Sequence, residues 1–311
     1  MNKILITGGG GFVGRVLCGV LEHRDREIRI VSRGGASAGP TPTFCCDVCS
    51  DAGWVEALEG VDTVVHLAAR VHVMRETSRN PLAQFREVNV EGTRRVAEFA
   101  RAAGVRRLVF LSSIKVLGEK TMPGAPFTQE SPMSPQDPYG ISKAEAEELV
   151  NHFQERGDLE AVIIRPPLVH GPGMGGNLAA LAGWIRKGLP LPFGAIDNRR
   201  DLLGVDNLCD LIAVSIEHAD APGKRLLAAD GEAVSTPQLI RAMAAALGSK
   251  ACLPKVPPAL LAAALKTLGK SALWERLGGN LEVDISGTCR TLGWSPPVSF
   301  PSGIERALAL S

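Results

Sequence analysis

Lys3-Ile4-Leu5-Ile6-Thr7-Gly8-Gly9-Gly10-Gly11-Phe12-Val13-Gly14 is the stretch on which the fold turns, and Arg15-Val16-Leu17-Cys18-Gly19-Val20-Leu21 follows it. Before the glycines the apolar residues run without a break. After them they fall at Val13, Val16, Leu17, Val20 and Leu21, the spacing of one helix face. The change of period across a glycine turn predicts strand, tight turn, helix. Glycines spaced as Gly8, Gly11 and Gly14 let a backbone turn sharply and approach a diphosphate, whose charge then rests on the free amides and positive dipole of the helix start. A bare glycine pattern is weak, but the strand before it and the helix after it make this a dinucleotide-binding turn. Gly8, Gly11, Phe12, Val13 and Gly14 are therefore assigned to a cofactor.

Outward from this turn, apolar runs recur at residues 28–31, 61–67, 108–111 and 161–164. They lack polar alternation, so they read as strands buried on both faces, with helices such as 81–103 and 137–156 between them. The expected fold class is α/β, a doubly wound parallel sheet of Rossmann type with a smaller, mostly C-terminal substrate-binding lobe. Residues 1–165 are expected to form the dinucleotide-binding domain, to which the chain returns at about 199–228 through a helix at 205–218 and a strand at 225–228. Proline and glycine become frequent from 166 to 194. Residues 166–198 and 229–311 are accordingly placed in the lobe, with a helix start at Ser235-Thr236-Pro237.

Composition narrows the partners. The 311 residues are 45% hydrophobic and 22% charged, with 34 Lys+Arg against 33 Asp+Glu. This balance gives no footprint for nucleic acid or an anionic membrane and points to a small molecule in a pocket. No basic, apolar and small-residue order marks a signal peptide, and the apolar stretch 256–268 is short and carries Lys266. It reads as a buried or lobe-capping helix, so no membrane span and a cytoplasmic location are expected. Cys45, Cys46 and Cys49 lack the second Cys/His pair of a zinc site and read as packed thiols; no metal is expected.

The second predicted strand ends at Val31-Ser32-Arg33, where an NAD-binding enzyme usually presents a carboxylate to the ribose. Ser32 and Arg33 can instead bind a 2′-phosphate, which favours NADP(H) and leaves NAD(H) possible. Asp47 and Val48, after the third strand, are placed against the adenine.

Of 14 aromatic residues only Tyr139 is a tyrosine. Tyr139 and Lys143 stand four apart on a predicted helix, hence on one face, where the ammonium is expected to lower the phenol pKa. Ser113 ends a predicted central strand, at the crevice where a hydroxyl can reach the same substrate oxygen. His66 lies inside a predicted strand and reads as a core histidine. Arg94, Arg95, Arg106 and Arg107 read as a solvated face, while Arg70 and His72 follow a strand end near the crevice.

Several segments together resemble the extended short-chain dehydrogenase/reductase family, in its nucleotide-sugar 4-epimerase and 4-keto-reductase branch. They are Gly8 to Gly14, Val64-Val65-His66-Leu67-Ala68-Ala69, Asn89-Val90-Glu91-Gly92-Thr93, Ser112-Ser113-Ile114-Lys115-Val116-Leu117-Gly118, Pro138-Tyr139-Gly140 with Ser142-Lys143, and Arg165-Pro166 with His170-Gly171-Pro172-Gly173. The resemblance implies that Tyr139 is the general acid/base, that Lys143 binds the nicotinamide ribose and tunes it, and that Ser113 assists at the reacting oxygen. It also places Leu67, Ala68 and Ala69 on the cofactor, Ser113, Lys115, Asn177 and Arg200 on a nucleotide-sugar that is UDP-linked, and Arg200 near a phosphate. A homodimer through a four-helix bundle is implied as well, and the two long helices carry apolar positions on more than one face.

Ile114 and Lys115 stand where the sugar dehydratases of the family resemble Asp-Glu, so dehydration lacks its acid and base. Leu117 and His170 stand where tyrosines are common, and no second phosphate-binding arginine is apparent near Gly279-Asn280. The reading that follows is NADPH-dependent reduction of a UDP-4-keto-6-deoxy-hexosamine in surface-polysaccharide synthesis. The alternative is a UDP-sugar 4-epimerase, of glucose or N-acetylglucosamine type, with tightly bound NAD. A non-catalytic nucleotide-sensing protein on the same fold is a third reading.

Overall fold

β1 (Lys3–Thr7) passes through the glycines into α1 (Phe12–Glu22), and β2 (Glu27–Ser32) returns parallel to it with Ile4 level with Ile28 and Thr7 with Val31. The computed structural model describes residues 3–24, 26–34, 41–71, 80–267, 269 and 271–309; His72 lies outside them. β3 (Thr43–Cys45), the short α2 (Trp54–Ala57) and β4 (Thr63–His66) follow, then α3 (Pro81–Arg86), α4 (Gly92–Ala102), β5 (Arg107–Leu111), α5 (Pro138–Glu155) and β6 (Glu160–Arg165). Beyond these come β7 (Leu168–His170), α6 (Gly176–Arg186), β8 (Leu202–Gly204), α7 (Val205–Glu217) and β9 (Arg225–Leu227). The last helices are α8 (Thr236–Ala246), α9 (Pro258–Thr267), α10 (Ser271–Gly278), α11 (Ser286–Leu292) and α12 (Phe300–Ala309).

Seven strands form one parallel sheet in the order β3-β2-β1-β4-β5-β6-β9. Strand order reverses between β1 and β4, and ligands of such sheets lie beyond the carboxyl ends at that point. The unbroken apolar runs have a simple cause. Ile4, Ile6, Val65, Val109, Val162 and Ile164 enter the core under α1 and α7, while Leu5, Val64, Leu108, Phe110, Ala161 and Ile163 enter the core under α4 and α5. Alternate residues of each strand serve opposite faces, and both faces are covered.

Three expectations are corrected. Residues 81–103 are not one regular α-helix, because Glu87–Glu91 form a π-helical stretch between α3 and α4. There the Asn89 side chain is drawn to the backbone of Arg70, accepting from its N–H at 2.8 Å and donating to its carbonyl at 3.0 Å. The chain does not rejoin the main sheet near 199: β8 pairs in parallel with β7 outside it, and the return is made by β9 beside β6. Arg107 is no solvated residue: it is 3% exposed and donates to the carbonyls of Ser215, Ile216 and His218, capping the end of α7. Those carbonyls have no partner within the helix, and a guanidinium also complements the negative end of its dipole.

Leu149, Phe153 and Phe99 pack on the sheet core, with Phe99 stacked on Trp54, and among the described residues none of the large exposed apolar side chains lies on α3, α4 or α5. Leu292 and Trp294, from the stretch assigned to the lobe, also pack into the sheet core. A separate core joins α6, α8, α9 and α12 through Leu181, Ile185, Ile240, Met243, Leu261 and Ile304.

Candidate active site

No side chain caps the start of α1 and no acid stands in its first turn, so the amides and positive dipole there are open to an anion. Gly8 has φ 73°, and a Cβ on it would meet the Ala68 nitrogen at 2.9 Å. A Cβ on Gly14 would lie 2.4 Å from the Gly8 carbonyl oxygen. Gly8 and Gly14 are therefore closed to any side chain, leaving a cradle that fits a dinucleotide diphosphate. Ser32 and Arg33 stand at the end of β2, Arg33 exposed, and no carboxylate is present there. Asp47 accepts from the Cys49 N–H at 2.9 Å within a turn, and Val48 is buried against Gly92. Leu67, Ala68 and Ala69 continue β4 into the crevice, the Ala68 N–H donating to Thr7 Oγ1 at 3.2 Å.

Beyond β5, Ser113 accepts from the Lys115 N–H at 3.3 Å, starting a single turn of 3-10 helix over Ile114–Val116. Asp137 caps α5 by accepting from the Gly140 N–H at 2.6 Å, with Pro138 at the first helical position. That start points Tyr139 at Ser113, with which its hydroxyl hydrogen-bonds, and sets its ring edge-on to Phe85 at 6.0 Å. Lys143, one turn on, is 2% exposed; its Nζ donates to the Leu111 carbonyl at 2.7 Å and lies 4.4 Å from the Phe110 ring centre.

The charge balance differs from the sequence expectation. Burial pushes the Tyr139 hydroxyl up to about 12, the Ser113 hydrogen bond working against that shift and the Asp137 charge adding to it. Burial likewise pulls Lys143 down to about 7, opposed by Glu147. Of the causes that act on the Tyr139 hydroxyl, the Ser113 hydrogen bond is the one that favours the phenolate.

On the substrate side, Lys115 pairs with Asp137 and Glu119, which ties it to the cap of the Tyr139 helix. Arg200 donates to the Gly279 carbonyl at 2.9 Å and is held down in pKa by burial, with Glu119 opposing and Arg276 reinforcing the shift. Lys115, Glu119, Arg200 and Arg276 are thus electrostatic neighbours. Arg276 was missed because it stands one turn before Gly279-Asn280, on α10. Asn177 is exposed in the first turn of α6, with no contact to this group among the described residues.

Residues 4–228 match the sequence model of the NAD dependent epimerase/dehydratase family. The chain belongs to that family. It is similar to a UDP-glucose 4-epimerase of Vibrio cholerae, 40% identical over 308 residues that cover 98% of this chain and 94% of the relative. A UDP-glucose 4-epimerase of Mycolicibacterium smegmatis is 30% identical, covering 98% and 97%. The solved UDP-glucose 4-epimerase of Thermus thermophilus in complex with NAD superposes with a TM-score of 0.77 at 24% identity, over 99% of this chain and 98% of that one, a likeness of fold.

In this member of the epimerase/dehydratase family the crevice is braced by a chain of buried hydrogen bonds whose directions follow from donor counting. Thr93 spends its hydroxyl proton on the Asn89 carbonyl at 2.7 Å, so it accepts from His66 Nε2 at 3.0 Å. His66 Nδ1 must then accept from Thr7 Oγ1 at 2.6 Å. Asn89 donates to Ser142 Oγ at 2.9 Å, and Ser142 donates to the Tyr139 carbonyl at 2.8 Å. The chain links the glycine turn to the backbone that carries Tyr139, and it gives the core histidine a positioning role.

His66 is fully buried and pulled down to about 3, by burial first and the Lys143 charge second. A depressed histidine binds its proton only in the unfolded chain between about pH 6.5 and 3, so stability falls as pH drops through that window. His66→Gln is expected to flatten this acid fall in the unfolding midpoint, measured by circular dichroism; an unchanged slope would show that His66 is not the titrating group.

A second brace was not anticipated. Glu147 and Arg165 form an ion pair at 2.6 Å with side chains 0% and 2% exposed, joining the middle of α5 to the end of β6. The available signal was an acid four residues after Lys143, between Ala146 and Val150 on the buried face of the helix.

Proposed function

We propose that this protein is a nucleotide-sugar 4-epimerase acting on a UDP-hexose, with Tyr139 as the group that takes and returns the proton of the C4 hydroxyl. The observation that carries this reading is Tyr139 hydrogen-bonded to the strand-end Ser113 with Lys143 one turn behind, in a chain 40% identical to a UDP-glucose 4-epimerase. A dinucleotide bound at the glycine turn of Gly8, Gly11 and Gly14 would supply the hydride chemistry. Ser113 shares the reacting oxygen with Tyr139, which keeps the proton path short and dry. Lys115, Asn177 and Arg200, with Arg276 as the second cation, are assigned to the sugar and its diphosphate.

The test is direct. Protein purified without added cofactor is expected to interconvert UDP-glucose and UDP-galactose and to release NAD on denaturation. No interconversion of UDP-glucose or UDP-N-acetylglucosamine, even with NAD or NADP supplied, would reject the epimerase.

A second reading, 4-keto reduction with NADPH, is favoured by one observation: β2 ends at Ser32-Arg33 with no carboxylate for a ribose. It predicts stoichiometric NADPH oxidation on a UDP-4-keto-6-deoxy-hexosamine. Arg33→Ala should then weaken NADPH binding about 10- to 100-fold, the worth of a charge-assisted pair, and leave NADH nearly unchanged. Equal affinity of the variant and the parent for NADPH would remove Arg33 from cofactor selection.

A further inference from the structure

The near-neutral total conceals an uneven distribution. Residues 180–198 and 235–267 contain six Lys/Arg and a single carboxylate, Asp197. The two stretches fold together: the Leu191 N–H donates to the Cys252 carbonyl at 2.9 Å and the Gly194 N–H to the Pro254 carbonyl at 3.2 Å. Lys187, Arg241, Lys250, Lys255 and Lys266 are exposed, and none forms an ion pair among the described residues. Other exposed arginines are paired, among them Arg86 with Glu145 and Arg94 with Glu98.

Large apolar side chains stand among these cations. Trp184 is 40% exposed, Leu189 45% and Leu260 62%. The Leu189 N–H donates to the Trp184 carbonyl at 3.1 Å, so the two lie together at the end of α6. Because 191 and 194 pair in the same direction with 252 and 254, the stretches that follow α6 and α8 run side by side. Leu260 belongs to α9, a helix of sequence Pro-Ala-Leu-Leu-Ala-Ala-Ala-Leu-Lys-Thr that buries only Leu261. Apolar side chains set among unpaired lysines match the headgroup layer of a bilayer, where the one inserts and the other meets phosphate. Two copies of this chain meeting face to face would instead bring like charges together.

We propose that this lobe docks peripherally on an anionic lipid bilayer, with Trp184, Leu189 and Leu260 entering the headgroup layer and Lys187, Lys250, Lys255 and Lys266 facing the lipid phosphates. No helix among the described residues is long and apolar enough to cross a membrane, so the contact is superficial. Asn177 and Trp184 share α6, and seven residues of helix rise about 10 Å, which keeps the assigned substrate site close to the surface.

Flotation of the full-length protein with vesicles tests this. The protein is expected to float with phosphatidylcholine vesicles in which phosphatidylglycerol replaces about a third of the lipid, and to be released by salt. It should not float with phosphatidylcholine alone. Lys187→Gln with Lys255→Gln should weaken binding about 30-fold, and Trp184→Ser with Leu260→Ser about tenfold, both keeping parental turnover of UDP-hexose. Failure to float with the anionic vesicles at low salt would overturn the proposal, as would parental binding by the variants. Self-association lost in Trp184→Ser/Leu260→Ser would assign the surface to a second copy and overturn it equally.

Discussion

Tyr139→Phe is expected to lower kcat for C4 chemistry by about 10³-fold while KM for the UDP-hexose stays within a few-fold, read in a coupled assay on cofactor-loaded protein. The ring is kept and so is its edge contact with Phe85, so the fold is unaffected. What is lost is the hydroxyl that hydrogen-bonds Ser113, the group proposed to exchange a proton with the reacting oxygen. Because Tyr139 is the only tyrosine in the chain, its ionisation can be followed by ultraviolet difference absorbance without interference from a second tyrosine. In protein free of nucleotide the midpoint should lie near 12, and Ser113→Ala should raise it, since the Ser113 hydrogen bond is the contact that favours the phenolate. Parental turnover by Tyr139→Phe would dismiss the catalytic role of Tyr139; absence of turnover in the parent itself would revive the non-catalytic, nucleotide-sensing reading.

The parts of this molecule that are legible in the sequence are those set by local chemistry. The glycine turn shows because Gly8 needs a positive φ and Gly14 tolerates no Cβ, and both needs are written in residue type. The parallel sheet shows because each central strand is apolar on both faces. Tyr139 and Lys143 show because helical spacing puts them on one face. What escapes is settled by partners distant in sequence. Arg107 and Arg106 are adjacent in sequence, yet one caps α7 from inside and the other pairs with Asp62 and Glu160 at the surface. The direction of the Tyr139 shift depends on the dryness of the site, which spacing alone does not reveal. A net charge of +1 likewise averages away a lobe surface that is basic on its own.

Glu147→Ala is expected to destabilise the protein by about 3–5 kcal/mol, measured by chemical denaturation, because it leaves the Arg165 guanidinium charged, buried and unpaired. Removing both partners is a different matter. In Glu147→Met with Arg165→Met neither charge is buried alone, and stability should return to within about 1–2 kcal/mol of the parent. That folded double variant isolates a second consequence. Glu147 is the charge that holds the Lys143 pKa up against burial, which has already brought it to about 7. Without Glu147 the lysine loses its proton at a lower pH. If binding of the nicotinamide ribose needs the ammonium, the alkaline limb of kcat/KM must move to lower pH in the double variant, with the acid side unchanged. A pH profile that superposes on the parent's would confine the Glu147–Arg165 pair to holding α5 against β6 and would leave Lys143 untuned by it.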